Sequence, residues 1–543
     1  METSEKSVRY ASSFKEQLTL RGIIIGAIGA IIITTSSMYV ALRMGALPWP
    51  TIFVAVMSMT ILKIMKNTNL NEINVTHTAM SAGSMVAGGL AFTIPGIWML
   101  NPDAEVKFIT LLFVTLSGTV LGVIFTALVR RYFIEKEQLP FPMGIAASET
   151  VLAGDEGGGK AKILFTTLGL TAVFTAIRDW FGKIPGAWMA TKLWEKNIQF
   201  GLWISPMAMA IGYIIGPLFT GVWFLGAILG YFFIIPVGVS MGWFTDVAIA
   251  TAFKNSLGIG LMVGTGFGIL VKGIIPKAKE IYGPIISGKA TKEGGVSLKW
   301  APIAFALIAF ILTISTEMRL MPSILAIIGV WLTTAMAASI TGQTGINPME
   351  IFGIIVLLAI KTVTKLGGIE AFLIAGVVAV ACGLTGDVLN DFKSGHILKT
   401  DPKAQLISEF IGGIIGAVVS VIVLFVMFKA YGAMGPETEL PAPQAYAVST
   451  MVGGLPNQGA FIVGLIIGLV LYLLNIPGMT LGIGIYLPMF ISTTAFIGGL
   501  LSFAVSRLKP EFNDKGIIIS SGMLGGEGVA GVIIAIIKVV TMG

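Results

Sequence analysis

Cysteine and histidine are nearly missing from this 543-residue chain, which has one cysteine and two histidines. The single cysteine, Cys382, excludes a disulfide within the chain. His77 and His396 are far apart and lack metal-ligand spacing, so we expect no metal site and no cofactor. Walker A, zincin and nucleophile-elbow sequences are also absent, which argues against ATP hydrolysis and predicts that the protein is not an enzyme.

Charged residues are scarce as well, at 12% of the chain, whereas hydrophobic residues make up 55% and the mean hydropathy is +0.90. A soluble globular chain would not show these values. At about 20 residues per span plus short loops, the length accommodates roughly 14 to 16 transmembrane helices. The 68 glycines suit helices that pack through small side chains. We therefore predict an all-α polytopic protein of the cell membrane.

The net charge of +7 is distributed over loops and forms no single basic patch, so it indicates membrane topology and no nucleic-acid partner. The first 20 residues are polar and lack the pattern of a cleavable signal. The basic amino terminus, Lys63 and Lys66 predict cytoplasmic positions. With an even number of spans, both termini are expected in the cytoplasm.

The stretch from Gln138 to Leu152 is apolar, yet it contains two prolines, a glycine and the carboxylate of Glu149. Because proline suits the first turn of a helix, we expect a helix from near Pro142 to about Leu152. That is roughly half the ~20 residues of a full span. Such a segment predicts a re-entrant or broken helix at a transport site. The alternative is a kinked full span with Glu149 at an interface.

The second half of the chain repeats features of the first. The pattern L-P-x-P-x-x-x-A-x-S begins at Leu139 and again at Leu440, an offset of 301 residues (440 − 139). A lysine stands 13 residues after Pro50 and after Pro348, which are 298 residues apart (348 − 50). Because such matches keep their order along the chain, they indicate a duplication.

We expect two homologous, parallel halves at residues 1–273 and 300–543, joined by a basic cytoplasmic linker at residues 274–299. Each half would contain eight of about 16 transmembrane helices, including short re-entrant or broken ones. The expected spans include residues 200–219, 404–428 and 479–506.

Ionisable residues inside apolar stretches are costly unless paired or hydrated, so they are candidates for function. The densest group is Asp387, Asn390 and Asp391, which share one helix face at positions i, i+3 and i+4. Two carboxylates at a cavity hold a cation, share a proton or bind an ammonium group. Alternatively, they pair with Lys393 at a polar helix end. Glu527 stands among glycines, which permit an unwound backbone near a ligand.

Adjacent Arg178 and Asp179 are expected to form a solvated pair at the end of a span.

Several blocks together resemble the oligopeptide transporter (OPT) family. The blocks are residues 37–45 with Tyr39, 138–152, Asp391 to Gly395 followed by Pro402 to Gln405, 484–488 with Tyr486, and 521–528 with Glu527. They lie in order and cover nearly the whole chain. One departure is Met143, where we expect prokaryotic members to have glutamate. A role of that position in binding protons or substrate would be missing here or taken by Glu149.

The resemblance implies a prokaryotic secondary transporter with 16 helices. It would import small peptides, peptide-like compounds or metal–chelate complexes across the lipid bilayer, usually with protons. A channel or facilitator for a small polar solute is the alternative, and a membrane-embedded enzyme is a more remote one. A channel would require a continuous polar pore. The sequence leaves the oligomeric state open.

We expect both L-P-x-P segments to face a shared cavity, where helices that begin at Pro142 and Pro443 direct N–H groups at an anionic end of the ligand. The substrate-binding candidates are Tyr39, Pro142, Gly144, Ser148, Glu149, Asn390, Gln444, Tyr446 and Tyr486. The proton-coupling candidates are the carboxylates Glu149, Asp387, Asp391 and Glu527, because buried carboxylates are often tuned for proton exchange.

Overall fold

The structure, a computed structural model, describes residues 10–45, 47, 50–154, 159–280, 300–345, 347–454 and 456–542. Helices dominate these residues, as predicted. Residues before the predicted linker form α1 Phe14–Gln17, α2 Leu20–Met44, α3 Thr51–Met65, α4 Leu70–Ala91, α5 Gly96–Leu100, α6 Phe108–Arg131, α7 Pro142–Gly154, α8 Gly159–Thr175, α9 Thr191–Trp194, α10 Pro206–Ile215, α11 Pro217–Ile228, α12 Ile235–Ser240 and α13 Val247–Gly268. Residues after it form α14 Ala301–Ser315, α15 Leu320–Thr344, α16 Met349–Val363, α17 Gly368–Ile397, α18 Pro402–Tyr431, α19 Pro443–Gly453, α20 Gln458–Leu473, α21 Gly478–Tyr486, α22 Met489–Leu508 and α23 Asn513–Met542.

Several of these helices continue into short π-helical segments, at Tyr132–Lys136, Ala176–Trp180, Leu229–Ile234 and Ile269–Ile274. The 3₁₀ turns are Ile275–Lys277 and Pro510–Phe512.

Two short strands, β1 Ala187–Met189 and β2 Gly201–Trp203, pair antiparallel with Ala187 opposite Trp203. They were not predicted. The single span expected at residues 200–219 is wrong, because this region contains β2, the short helix α10 and a break at Gly216, whose φ is 88°. Pro217 then begins α11, where its missing N–H costs nothing.

Within the described ranges, nine helical runs are long and apolar enough to cross a membrane, or ten if α19 and α20 form one broken span. The prediction of a multi-pass membrane protein is therefore confirmed, whereas the number of 16 transmembrane helices remains a prediction. The span expected at residues 479–506 is divided at Leu487 and Pro488 into α21 and α22. Proline has no N–H for a helical hydrogen bond, which accounts for this break.

The chain packs as two units, each made of two stretches. The first unit contains residues 1–162 and 276–448, and the second unit contains residues 163–275 and 449–543. Each unit thus combines a stretch from before the predicted linker with one from after it. Most of that linker, residues 281–299, lies outside the described part of the chain.

In the first unit, pairs of helices correspond across the predicted halves. Helices α2 and α15 are each 25 residues long and begin 300 residues apart (320 − 20), and α3 and α16 are each 15 residues long and begin 298 apart (349 − 51). Gly45 and Gly345 end α2 and α15 with φ of 64° and 73°. A duplication would produce this correspondence. The duplication itself remains a prediction.

The two L-P-x-P segments are held by reciprocal hydrogen bonds. The N–H of Phe141 donates to the carbonyl of Gly342 at 2.9 Å, and the N–H of Ala442 donates to the carbonyl of Leu42 at 2.7 Å. Each segment is thus fixed to the end of a helix in the other predicted half. The short helix predicted from Pro142 is confirmed as α7, 13 residues long.

Close helix packing at the centre of the first unit depends on glycine. A Cβ on Gly416 of α18 would lie 2.3 Å from the Cα of Gly83 of α4, and one on Gly412 would lie 2.1 Å from the carbonyl oxygen of Ala79. Side chains at these positions would force the helices apart. Helix α17 packs against α4 and α18, and its most apolar stretch is entirely buried.

Candidate functional site

Asp387, Asn390 and Asp391 lie in α17 with no exposed surface. Their helical spacing brings the carboxylates of Asp387 and Asp391 together, with an oxygen of each within 4.8 Å of the other. The predicted proximity of these two groups is confirmed.

Asp391 is held by two side chains of α4. The Nε2 atom of His77 lies 2.9 Å from Oδ1 of Asp391, and the hydroxyl of Ser81 donates to Oδ2 at 2.5 Å. His77 and Ser81 are one helical turn apart and therefore reach the same carboxylate. Among the described residues neither Asp387 nor Asp391 pairs with Lys393, so the alternative of a polar helix end is not what the structure has.

A third carboxylate, Glu409 of α18, was missed in the sequence. It is fully buried, and one of its oxygens lies within 4.8 Å of oxygens of Asp387 and Asp391. We call Asp387, Asp391 and Glu409 the carboxylate cluster. The signal for Glu409 was present, because it is an ionisable residue inside the predicted span at residues 404–428. Gly412 and Gly416 allow α18 to come close enough to bring it there.

The carboxylate cluster has more acceptors than donors. Both oxygens of Asp387 and both oxygens of Glu409 have no hydrogen-bond partner among the described residues. In that part of the chain His77 is the one basic side chain in contact with the cluster. Three ionised carboxylates in this place would be very costly, so the cluster must take up protons or a small cation. Three carboxylate oxygens this close together can share a proton or coordinate a small cation.

Two blocks of the family resemblance meet beside the cluster: Asp391 to Gly395, with the pattern D-x-K-x-G, and Pro402 to Gln405, with the pattern P-x-x-Q. The side-chain amide of Gln405 donates from Nε2 to the carbonyl of Asp391 at 2.7 Å. A Cβ on Gly395 would lie 1.9 Å from Oε1 of Gln405, so only glycine leaves room for this amide. Gly395 and Gln405 therefore act together to fix the backbone of α17 at Asp391.

Asn390 connects the cluster to the first L-P-x-P segment. The N–H of Gly144, in the first turn of α7, donates to Oδ1 of Asn390 at 3.1 Å and also to the carbonyl of Phe141 at 2.9 Å. A Cβ on Gly144 would lie 2.2 Å from the carbonyl oxygen of Asn390. One N–H group that was predicted to face a ligand is therefore engaged within the protein, because α17 caps α7.

The second L-P-x-P segment lies against the end of α2. Gln444 donates from Nε2 to the carbonyl of Gly45 at 2.8 Å, while its Oε1 has no partner among the described residues. Tyr39 of α2 is fully buried and accepts a hydrogen bond from Arg43, which lies one helical turn after it. Tyr446 lies in α19 and is half-buried.

The remaining candidates are not all in this region. Ser148 donates to the carbonyl of Ile145 in its own helix, at 2.7 Å. The side chains of Pro142 and Glu149 lie outside the part of the chain that the structure describes. Tyr486 ends α21 and Glu527 lies in α23, and both belong to the second unit.

Glu527 is buried among donors. It accepts from Arg178 at 2.8 Å, from the hydroxyl of Ser205 at 2.9 and 3.1 Å, and from the N–H of Met207 at 2.9 Å. The prediction that Arg178 and Asp179 form a solvated pair is wrong in part. Arg178 does pair with Asp179, at 2.7 Å, but it is only 3% exposed and turns inward to Glu527. The distant partner gave no local signal in the sequence.

Comparison with known proteins identifies the family. The family described as OPT oligopeptide transporter protein matches residues 17–538. The chain belongs to the OPT family. A Haemophilus influenzae protein named as a candidate oligopeptide transporter is 25% identical over 594 aligned residues, which cover 92% of each chain. The metal-nicotianamine transporter YSL1 of Arabidopsis thaliana is 23% identical over 527 residues, 82% of this chain and 77% of its own.

OPT membership makes the protein a membrane transporter and not an enzyme, as the sequence predicts. It also gives context to the D-x-K-x-G and P-x-x-Q blocks, by which the sequence resembled this family. In the structure, these blocks border the carboxylate cluster.

Proposed function

We propose that this protein is a secondary active transporter that imports small peptides, peptide-like compounds or metal–chelate complexes together with protons. Membership of the OPT family supports transport. The substrate range is supported by the names of two relatives, one for oligopeptides and one for metal-nicotianamine.

The carboxylate cluster is the observation that carries proton coupling. Glu409 lies beside Asp387 and Asp391 and accepts no hydrogen bond from the described residues, and such an arrangement is stable when one carboxyl group holds a proton that another accepts. His77 lies in contact with Asp391, at 2.9 Å. A single proton that enters or leaves therefore changes the charge of a fully buried site.

Asn390 offers a route from proton binding to substrate. It stands between Asp387 and Asp391 on the same face of α17 and holds the N–H of Gly144 at the start of α7. A change of charge in the cluster acts on α17 within one turn of that contact. We propose that the protonated and unprotonated clusters favour different positions of α7, which contains Ser148 and Glu149.

Glu149 and Glu527 remain further candidates for coupling. Glu527 is less suited than the cluster, because Arg178 neutralises it and donors occupy both of its oxygens. For substrate recognition we propose the surroundings of the two L-P-x-P segments. Gln444 there has a free acceptor oxygen among the described residues, which suits an ammonium or amide group of a ligand.

The proposed architecture has two homologous halves, residues 1–273 and 300–543, with 16 helices in all and both termini in the cytoplasm. The equal lengths of α2 and α15 and of α3 and α16 support it, as do the reciprocal hydrogen bonds of Phe141 and Ala442.

Uptake by the purified protein in proteoliposomes tests the proposal. Di- to tetrapeptides, with free or amidated carboxyl ends, and metal chelates would be offered with and without an inwardly directed proton gradient. We expect saturable uptake of at least one class, accumulation above the external concentration only with the gradient, and weaker uptake of amides. Non-saturable flux with unitary conductance in planar bilayers would instead indicate a channel.

A further inference from the structure

A lysine is buried at the helix break in the second unit. Lys254 of α13 has no exposed surface, and its ammonium donates to the carbonyls of Ile485 at 2.6 Å and Tyr486 at 3.2 Å. It also donates to the hydroxyl of Tyr231 at 3.2 Å and lies 4.3 Å from the centre of that ring. Its three N–H donors thus have three acceptors, and among the described residues no carboxylate pairs with it.

One glycine makes room for this side chain, and two others allow the surrounding helices to pack closely. A Cβ on Gly230 would lie 2.8 Å from Cδ of Lys254. A Cβ on Gly258, one turn after Lys254, would lie 3.0 Å from the carbonyl oxygen of Gly482, and one on Gly226 would lie 2.3 Å from that of Leu481. Helices α11 and α13 therefore pack closely against α21, and Gly230 leaves the space that the lysine stem occupies.

The ammonium lies where α21 ends and before α22 begins. Because the backbone leaves the helical path at Leu487, the carbonyls of Ile485 and Tyr486 have no next helical turn to bond, and the helix end carries a partial negative charge. In transporters with broken helices, such carbonyls commonly coordinate the coupling cation.

We propose that Lys254 is a built-in cation at the break between α21 and α22, and that it fills a site which a free monovalent cation would otherwise occupy. Two consequences follow. Removal of the whole side chain opens a site for a small monovalent cation between the carbonyls of Ile485 and Tyr486 and the ring of Tyr231. The wild-type protein needs no alkali cation at this break. The second consequence rests on the proposed transport function, and the first does not.

Thermal unfolding of the purified full-length protein tests the first consequence. The wild type, Lys254→Ala and Lys254→Met would be compared in N-methyl-D-glucamine, sodium, potassium and methylammonium chloride at equal ionic strength. We expect Lys254→Ala to unfold at a lower temperature, with a saturable recovery of several degrees in at least one small cation, since a ligand of the folded state stabilises it. Lys254→Met fills most of the same space without a charge and should show no recovery. Equal responses of the two variants would overturn the proposal.

Uptake by the wild type keeps the proposal testable should both variants fail to fold. We expect accumulation rates in sodium, potassium and N-methyl-D-glucamine chloride to agree within about twofold, because Lys254 is already in place. A strict requirement for sodium would overturn the built-in cation while leaving the transporter intact. If no substrate accumulates under any condition, the proposed function fails, and the unfolding comparison still decides the role of Lys254.

Discussion

The carboxylate cluster of the first unit and Glu527 of the second are both buried and acidic, yet their surroundings differ. Glu527 accepts from an arginine, a serine hydroxyl and a backbone N–H. Asp387 and Glu409 have no donor at any of their four oxygens among the described residues. One carboxylate is thus stable as an anion, and the other two are stable only when protons or a cation are bound. Burial of a carboxylate is therefore a weaker sign of proton coupling than a shortage of donors around it.

The largest effect is expected when Glu527 loses its partner. Arg178→Met leaves a buried carboxylate without its counter-charge, which costs about 3–5 kcal/mol of unfolding free energy. Thermal or denaturant unfolding would measure the loss. The double variant Arg178→Met with Glu527→Leu removes both charges and should recover most of it. A single variant as stable as the wild type would refute the contrast between the two sites.

Neutral substitutions should act in opposite ways at the two sites. Asp387→Asn and Glu409→Gln replace carboxyl groups that lack donors, so we expect unchanged or higher unfolding temperatures but at least a tenfold loss of proton-driven accumulation. Glu527→Gln is the matched control and should lower the unfolding temperature, because Arg178 loses the fully buried one of its two ionised partners.

Exchange of labelled for unlabelled substrate without a gradient should persist in Asp387→Asn and Glu409→Gln. If both variants accumulate substrate as the wild type does, coupling lies outside the cluster.

A smaller effect is expected from a change in shape near the cluster. Gly395→Ala places a Cβ 1.9 Å from Oε1 of Gln405 and displaces the amide that holds the backbone of Asp391. Such overpacking typically costs about 1–3 kcal/mol. Gly368→Ala in the same helix is the control, since a Cβ there has no neighbour within 4 Å. Equal unfolding temperatures for the two variants would mean that the Gln405 contact does not fix α17.

The smallest effect should come from a partly exposed ion pair, Glu137 with Lys277, at 2.8 Å. The hydrogen bond from Lys277 holds the pKa of Glu137 below its usual range. Its stabilisation is therefore present above the unfolded pKa of about 4.3 and is lost as the pH falls through the lower folded pKa. Because both side chains are partly exposed, we expect about 0.5 kcal/mol or less.

Unfolding of the wild type and of Lys277→Met should differ slightly at pH 7 and converge near pH 3. A difference that grew as the pH fell would contradict this linkage.

Local patterns in the sequence predicted part of this picture. The periodicity of α17 places Asp387 and Asp391 together, and the prolines place the start of α7. The partners of these residues come from far away in the chain, such as His77 for Asp391 and Arg178 for Glu527, and one sequence carries no signal for such contacts. Pro488 was visible, but the apolar residues on both sides of it suggested one continuous span. Lys254 was overlooked because its acceptors, two backbone carbonyls and the hydroxyl of Tyr231, belong to other helical segments and give no local signal in the sequence.

Proton movement into proteoliposomes that contain a trapped pH dye tests the central claim most directly. With no gradient imposed, addition of a transported substrate should acidify the lumen of wild-type vesicles. The same addition should leave the lumen of vesicles with Asp387→Asn or Glu409→Gln unchanged while substrate exchange continues. Wild-type uptake without acidification, or equal acidification by the two variants, would contradict proton coupling at the carboxylate cluster.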